Sequence, residues 1–288
     1  MKSTNGIRTF AGAAAIITGG ASGIGQALGE ALARRGAQVV LADLQGDRAR
    51  EVAAGIEKQG GKARAVEMNV VDFAAINRLV EDAVRDFGRL DYIFNNAGIG
   101  VAGEVRYYQI DDWNRVLDVN LRGVINGIQA AYPVMLRQGF GHIVNTSSMA
   151  GLVASPWTVS YCAAKFGVVG LSLPLRVEAA AAGVRVSVIC PGVIRTPILD
   201  SLGGKSVQPI SVEKQRAVIE RLRPMDPNRF AEKVLRAVAR NRAIIIVPAW
   251  WRLFWWMYRL SPWLTERYMT WSVNYARRTL LEEPAKTP

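Results

Sequence analysis

Apolar residues in this chain fall into short runs separated by longer amphipathic stretches. The runs read as strands at Ala13–Thr18, Gln38–Ala42, Ala63–Met68, Leu90–Phe94, His142–Thr146, Val184–Ile189 and Ala243–Val247. Helical spacing fills the intervals at Ile24–Arg35, Asp47–Gln59, Phe73–Phe87, Ile110–Gln138, Thr158–Ala182 and Arg229–Ala239. Strands that are apolar almost throughout belong to a sheet covered on both faces, and strict alternation with helices makes that sheet parallel. The pattern therefore predicts an α/β fold: a doubly wound parallel sheet of about seven strands with helices on both faces. Such sheets bind ligands beyond the carboxyl ends of their strands. Residues that carry chemistry are therefore sought just after each strand.

Beyond Pro248 the pattern changes. Trp250–Leu260 is apolar nearly all round apart from Arg252 and Arg259, and six of the eight tryptophans lie between Trp250 and Trp271. Ser261-Pro262 suits a helix start, because serine caps and proline fits the first turn. The second helix has a stripe at Leu264, Tyr268, Trp271 and Tyr275, with Arg267, Arg277 and Arg278 elsewhere. The first helix spans about 16 Å, roughly half a bilayer core. Two units are expected: residues 1–248 as the catalytic domain and 249–288 as a helical extension. The tail either lies in a membrane interface through 249–280, where tryptophan and arginine are at home, or packs on protein.

Composition excludes more than it selects. The chain has 288 residues, half of them apolar, a formal charge of +12 and a pI near 10.1. Its basic residues are scattered rather than run together, so nucleic acid is not expected as a partner. Two cysteines, Cys162 and Cys190, make no disulfide framework and read as small core residues of a reducing compartment. There is no metal-ligand spacing, and the single histidine, His142, reads as a strand-edge surface residue. No signal peptide or spanning helix is evident. The expected location is cytoplasmic, peripheral to the inner face of a membrane if the tail binds one.

Between the first strand and first helix lies Thr18-Gly19-Gly20-Ala21-Ser22-Gly23-Ile24-Gly25. Glycines let backbone approach a pyrophosphate, and the helix start supplies free N–H groups and a positive dipole end. Asp43 closes the second strand, where a carboxylate accepts hydrogen bonds from ribose hydroxyls and repels a 2′-phosphate. Leu44 follows in place of a basic residue, so NAD is expected rather than NADP. Asp43 could also be a plain loop aspartate.

Tyr161 and Lys165 stand four apart on a predicted helix and share a face. A free phenol titrates near pH 10, too high for a base at neutral pH. A neighbouring ammonium is expected to lower it, so that the tyrosine exchanges a proton with a substrate hydroxyl while hydride moves to or from a nicotinamide. Alone, this spacing carries little weight.

Together the motifs resemble the short-chain dehydrogenase/reductase family, in its single-domain branch. They run in order over about Ala11 to Pro248: Thr18-Gly-x-x-x-Gly-x-Gly25, Asn95-Asn96-Ala97-Gly98, Asn120, Ser147-Ser148, Tyr161-x-x-x-Lys165 and Pro191-Gly192. The resemblance implies a Rossmann-like fold with Tyr161 as catalytic acid/base and Lys165 on the nicotinamide ribose. It implies that Ser148 binds the reacting oxygen, with Ser147 its neighbour, and that Asn120 anchors a proton-relay water. It places Gly19, Ser22, Gly23, Ile24 and Gly25 on the pyrophosphate, and Asp43 and Leu44 on the adenosine ribose. Asn69, Val70, Asn96, Ala97 and Gly98 would lie by the adenine and its ribose, Asn69 standing where the family often has aspartate. Pro191, Gly192, Ile194 and Thr196 would fix the nicotinamide. Family members commonly pair through the two long helices, which implies a homodimer or homotetramer.

Ile99–Tyr108, Met149–Trp157 and Pro197–Pro224 should surround the substrate, the last as a mobile lid. Val101, Val105, Tyr107, Tyr108, Val153, Trp157, Ile198 and Leu199 make that lining apolar. The reading is an NAD-dependent oxidoreductase for a hydrophobic, secondary alcohol and its ketone. An NADP-linked lipid or acyl ketone reductase, or a catalytically silent NAD-binding membrane scaffold, are the alternatives.

Overall fold

A computed structural model describes residues 6–200, 204–207 and 220–280. Seven strands form one sheet: β1 (Ala14–Thr18), β2 (Gln38–Asp43), β3 (Lys62–Glu67), β4 (Tyr92–Asn95), β6 (Gly141–Thr146), β7 (Val184–Pro191) and β9 (Ile244–Val247). Their order is β3-β2-β1-β4-β6-β7-β9, and every pairing is parallel. Strand order reverses between β1 and β4, so a crevice opens at their carboxyl ends. A small parallel pair, β5 (Gly100–Ala102) with β8 (Gly204–Ser206), stands apart.

The helices are α1 (Gly23–Ala33), α2 (Gly46–Lys58), α3 (Phe73–Phe87), α4 (Ile110–Leu117), α5 (Gly123–Gln138), α6 (Val159–Ala180), the short α7 (Pro197–Asp200), α8 (Pro227–Ala239), α9 (Trp251–Leu260) and α10 (Pro262–Leu280). The strand period of two divides the core. Ile17 and Leu41 join Leu28, Leu32 and Phe230 on one face of the sheet; Ile16 and Val40 join Leu79, Val80 and Met135 on the other. Each such side chain, fully buried, contributes about 1.5–3 kcal/mol. Local signals fix the helix ends. Asp72 caps α3 by accepting from Ala75 N–H, and Gly88 ends it with φ of 70°. Asp226 caps α8 the same way, with Pro227 in the first turn.

Three expectations change. Ile110–Gln138 is not one α-helix: a π-helical turn, Asp118–Arg122, separates α4 from α5. Asn120 sits in that turn with both ends of its amide bonded to the Ile99 backbone, and the extra residue turns it inward to do so. His142 is fully buried, because β6 runs between β4 and β7. Its Nε2 lies 2.8 Å from Ser187 Oγ, and burial holds its pKa down to about 3, so it is neutral. Cys190 is buried as expected, but Cys162 is only half-buried.

In the tail, α9 turns Trp251, Phe254, Trp255 and Tyr258 onto a cluster that includes Val153, Val168, Val188 and Ile246. α10 is tied back by Arg277, whose Nε donates to Glu104 Oε1 at 2.8 Å. Of the expected lid, 201–203 and 208–219 lie outside the described residues, as does the chain end, 281–288.

Candidate active site

The crevice is a cavity of about 530 Å³ at the carboxyl ends of β1, β4, β6 and β7. Its phosphate end is the turn after β1. Gly19 has φ of 69° and Gly23 of 54°, backbone that favours glycine. A Cβ on Gly19 would lie 2.8 Å from Ala97 Cα, and one on Gly23 2.9 Å from Thr196 Cγ2. One on Gly25 would overlap the Gly19 carbonyl. The turn is thus pressed into its neighbours, with the α1 N-terminus facing the space a pyrophosphate would need.

Asp43 holds the turn from β2: Oδ2 accepts from Ala21 N–H at 3.0 Å and Oδ1 from Gln45 N–H at 2.9 Å. A carboxylate has acceptor capacity left for ribose hydroxyls. Leu44 points into solvent, 69% exposed, and Gln45 forms the cleft wall there. Thr18 is a hub that sequence reasoning named only as a motif end. Its Oγ1 accepts from Asn96 and Ala97 N–H and donates to Phe94 C=O. Asn96 Nδ2 returns a bond to Thr18 C=O, and Asn96 Oδ1 accepts from Thr146 Oγ1. Asn95 faces away from the cleft, donating to buried Asn145. Asn69 is exposed and closes a turn onto Val71 N–H, while Val70 is core; neither lines the cleft.

Ser148, Tyr161 and Lys165 meet at the other end of the cavity. Ser148 follows β6 and opens a tight turn, its Oγ accepting from Ala150 N–H at 3.1 Å. Ser147 donates to Lys165 C=O at 2.8 Å, which pins α6 to the strand end. Lys165 is buried, donates to Thr146 C=O at 2.9 Å, and sits 5.4 Å from the centre of the Tyr161 ring. Gly98 makes room here: a Cβ would come 3.3 Å from Asn120 Oδ1 and 3.5 Å from Lys165 Nζ. Asn120 spends its amide on Ile99, which fixes the Gly98–Ile99 wall.

Desolvation acts on Tyr161 in the direction opposite to the lowering expected from Lys165. Burial raises Tyr161 to about 12, and a hydrogen bond with Ser148 works against that rise. Burial also lowers Lys165 to about 8. Desolvation therefore disfavours the charged form of both groups.

Pro191, Gly192, Val193, Ile194 and Thr196 close the third side. Gly192 takes the tail into the site, since a Cβ there would overlap Trp251 Nε1. No periodicity marks that contact in the sequence. Among the apolar residues expected round the substrate, Val101, Ile198 and Leu199 line the cavity. Val105 and Tyr107 are exposed, and Val153 is core. Ser155, within the loop expected there, and Thr158, just beyond it, also line it.

Residues 13–206 match the family model described as short chain dehydrogenase. The chain belongs to the short-chain dehydrogenase/reductase family. Its relatives include a 2,5-dichloro-2,5-cyclohexadiene-1,4-diol dehydrogenase from Sphingobium indicum, 40% identical over 189 residues, or 66% of this chain and 76% of that one. A cyclohexanol dehydrogenase from an Acinetobacter species is 40% identical over 186 residues, 64% of this chain and 74% of that one. A short-chain dehydrogenase/reductase from Burkholderia phymatum, solved in complex with NAD, aligns with a TM-score of 0.79 and 29% identity, covering 90% of this chain and 97% of that one. This short-chain dehydrogenase therefore has an oxidoreductase scaffold suited to a nicotinamide cofactor. The glycine turn fits that group, since Gly19, Ser22, Gly23 and Ile24 line the cavity where α1 begins. The family model ends at residue 206, so α9 and α10 lie outside it.

Proposed function

We propose that this protein interconverts a hydrophobic secondary alcohol and its ketone with NAD(H). The observation that carries the reading is the convergence of Ser148, Tyr161 and Lys165 on one cavity that also holds the glycine turn. A nicotinamide held by Pro191, Gly192, Ile194 and Thr196 would supply the hydride acceptor for the carbinol carbon, or the hydride donor for the carbonyl carbon. Tyr161 takes the hydroxyl proton in oxidation and donates it in reduction. Ser148 holds the reacting oxygen beside the phenol. Lys165, anchored on Thr146, binds the nicotinamide ribose and supplies positive charge beside the phenol. Oxidation needs the phenolate, so it speeds up as pH rises; reduction uses the protonated form that burial favours.

Asp43 supports NAD over NADP, because a 2′-phosphate would meet its carboxylate. The neighbour crystallised with NAD points the same way. Ile99, Val101, Val193, Ile198 and Leu199 support an apolar substrate, and two relatives are named for ring alcohols. The test is turnover of cyclic and long-chain secondary alcohols with each cofactor, followed by nicotinamide absorbance. The reading expects NAD turnover on apolar alcohols, with a preference over NADP that Asp43→Ala erodes. Turnover confined to small charged hydroxy acids, or NADP preference in the wild type, would overturn it.

A further inference from the structure

Ten of the twenty-two large apolar side chains exposed among the described residues lie between Trp250 and Tyr275. Leu253, Trp256, Met257 and Leu260 form the outward face of α9. Leu264, Tyr268, Trp271 and Tyr275 recur at helical spacing along α10. So much apolar surface in one short segment marks a contact surface.

Charge selects the partner. Residues 249–280 carry five arginines (Arg252, Arg259, Arg267, Arg277 and Arg278) against one acidic residue, Glu266, in a chain of formal charge +12. Arg259 lies 5.5 Å over the Trp255 ring and Arg267 5.1 Å over Trp263. Aromatic rings bordered by guanidinium groups match the boundary between hydrocarbon and anionic headgroups. A second copy of the same face would bring like charges together. Among the described residues no helix is long and apolar enough to cross a membrane. α9 has ten residues, about 15 Å, and its inner face is already committed to the core. We propose that the outward face of α9 and α10 docks this protein on an anionic lipid surface.

The place of the tail gives docking a use. A groove of about 450 Å³ runs between the tail and the loop 154–156, lined by Ala154 and Pro156 on one side and Tyr258, Pro262, Met269 and Val273 on the other. Ser155, between those loop residues, lines the catalytic cavity. Tail groove and cavity share one wall, so a lipid-dissolved alcohol leaving the membrane arrives beside the cleft. This use rests on the function proposed above; the docking does not.

The test is flotation of the full-length protein with phosphatidylcholine vesicles, with and without phosphatidylglycerol. Wild type floats with the anionic vesicles, and salt weakens the binding. The pair Leu260→Glu and Trp271→Glu lowers partitioning roughly tenfold or more. Neutralising Arg252, Arg259 and Arg267 to glutamine lowers it on the order of a hundredfold. Unchanged Tm, NAD binding and turnover of a water-soluble alcohol show that the variants fold. Turnover of a vesicle-dissolved alcohol then falls in the variants alone. Docking is overturned if wild type floats with neither vesicle, or if the variants float as well as wild type. It is also overturned if Leu260→Glu dissolves an oligomer of a protein that never floats, since a second copy then owns the face. Flotation without turnover of any alcohol leaves docking in place and removes the catalytic reading.

Discussion

At the carboxyl end of the sheet, polar side chains are turned inward and bonded to backbone. Along α9 and α10, aromatic side chains are turned outward. Thr18, Asn96, Asn120, Ser147 and Lys165 each spend their polar atoms on backbone a long way off in sequence. Those bonds tie the ends of β1 and β4 together, pin α6 to the end of β6 and fix the loop after β4 to the π turn, so the cleft is rigid where proton transfer needs it to be. The tail makes the opposite use of its residues. One helix face holds it to the core, Arg277 ties it to Glu104, and the remaining face is left to the surroundings. The lesson is that the two regions meet at Gly192, where the tail indole rests against the strip that closes the cleft. The tail is attached to the active site and not only to the domain.

Changes on either side of that boundary break or sharpen the comparison. The largest effect belongs to the cleft. Tyr161→Phe removes the proton donor and acceptor, and kcat falls on the order of 10²–10⁴-fold, with NAD affinity nearly unchanged by calorimetry. Next is the boundary itself. Gly192→Ala drives a Cβ into Trp251, costing about 1–3 kcal/mol in denaturant melts. Gly192→Ala combined with Trp251→Ala costs less than the sum of the two singles, which a double-mutant cycle reads directly. Additive losses would mean that the contact does not couple tail to cleft.

Lys165 comes third. Its pKa falls from 10.5 to about 8 on burial. Between those values the unfolded chain holds more protons than the native one, so stability rises as pH climbs from about 8 to 10.5. Below pH 8 the buried charge costs about 3 kcal/mol. Lys165→Met therefore loses that pH-dependent rise and melts higher at neutral pH by about 1 kcal/mol, the unpaired Thr146 carbonyl offsetting part of the gain, while turnover collapses. Smallest is Arg277→Gln. The arginine is about half exposed, so breaking its pair with Glu104 changes stability by under about 1 kcal/mol. The tail should then loosen locally, seen as faster amide exchange in α10 without loss of the global fold.

Much of this is legible in the sequence. All seven sheet strands were placed within a few residues, because their apolar runs are bounded by glycine, asparagine and charge. The glycine turn and the tyrosine–lysine spacing marked the cleft, since each is a short-range geometric requirement. What escaped was decided by distant neighbours. His142 looked like a surface residue because its own strand says nothing about lying mid-sheet. The π turn at Asn120 depends on Ile99, and the cleft role of Gln45 rather than Leu44 depends on how β2 ends. The direction of the Tyr161 shift depends on how the elements round the cavity desolvate the phenol. The contact of Trp251 with Gly192 joins residues that no periodic pattern links.

The central claim is that one phenol, half-buried at the cavity wall and held by Ser148, moves the proton. The pH profile of kcat/KM for alcohol oxidation, in wild type and in Ser148→Ala, tests it most directly. Ser148 holds the phenol below the value burial alone would set, so its loss must move the rising limb to higher pH. Identical profiles in the two proteins would contradict the account.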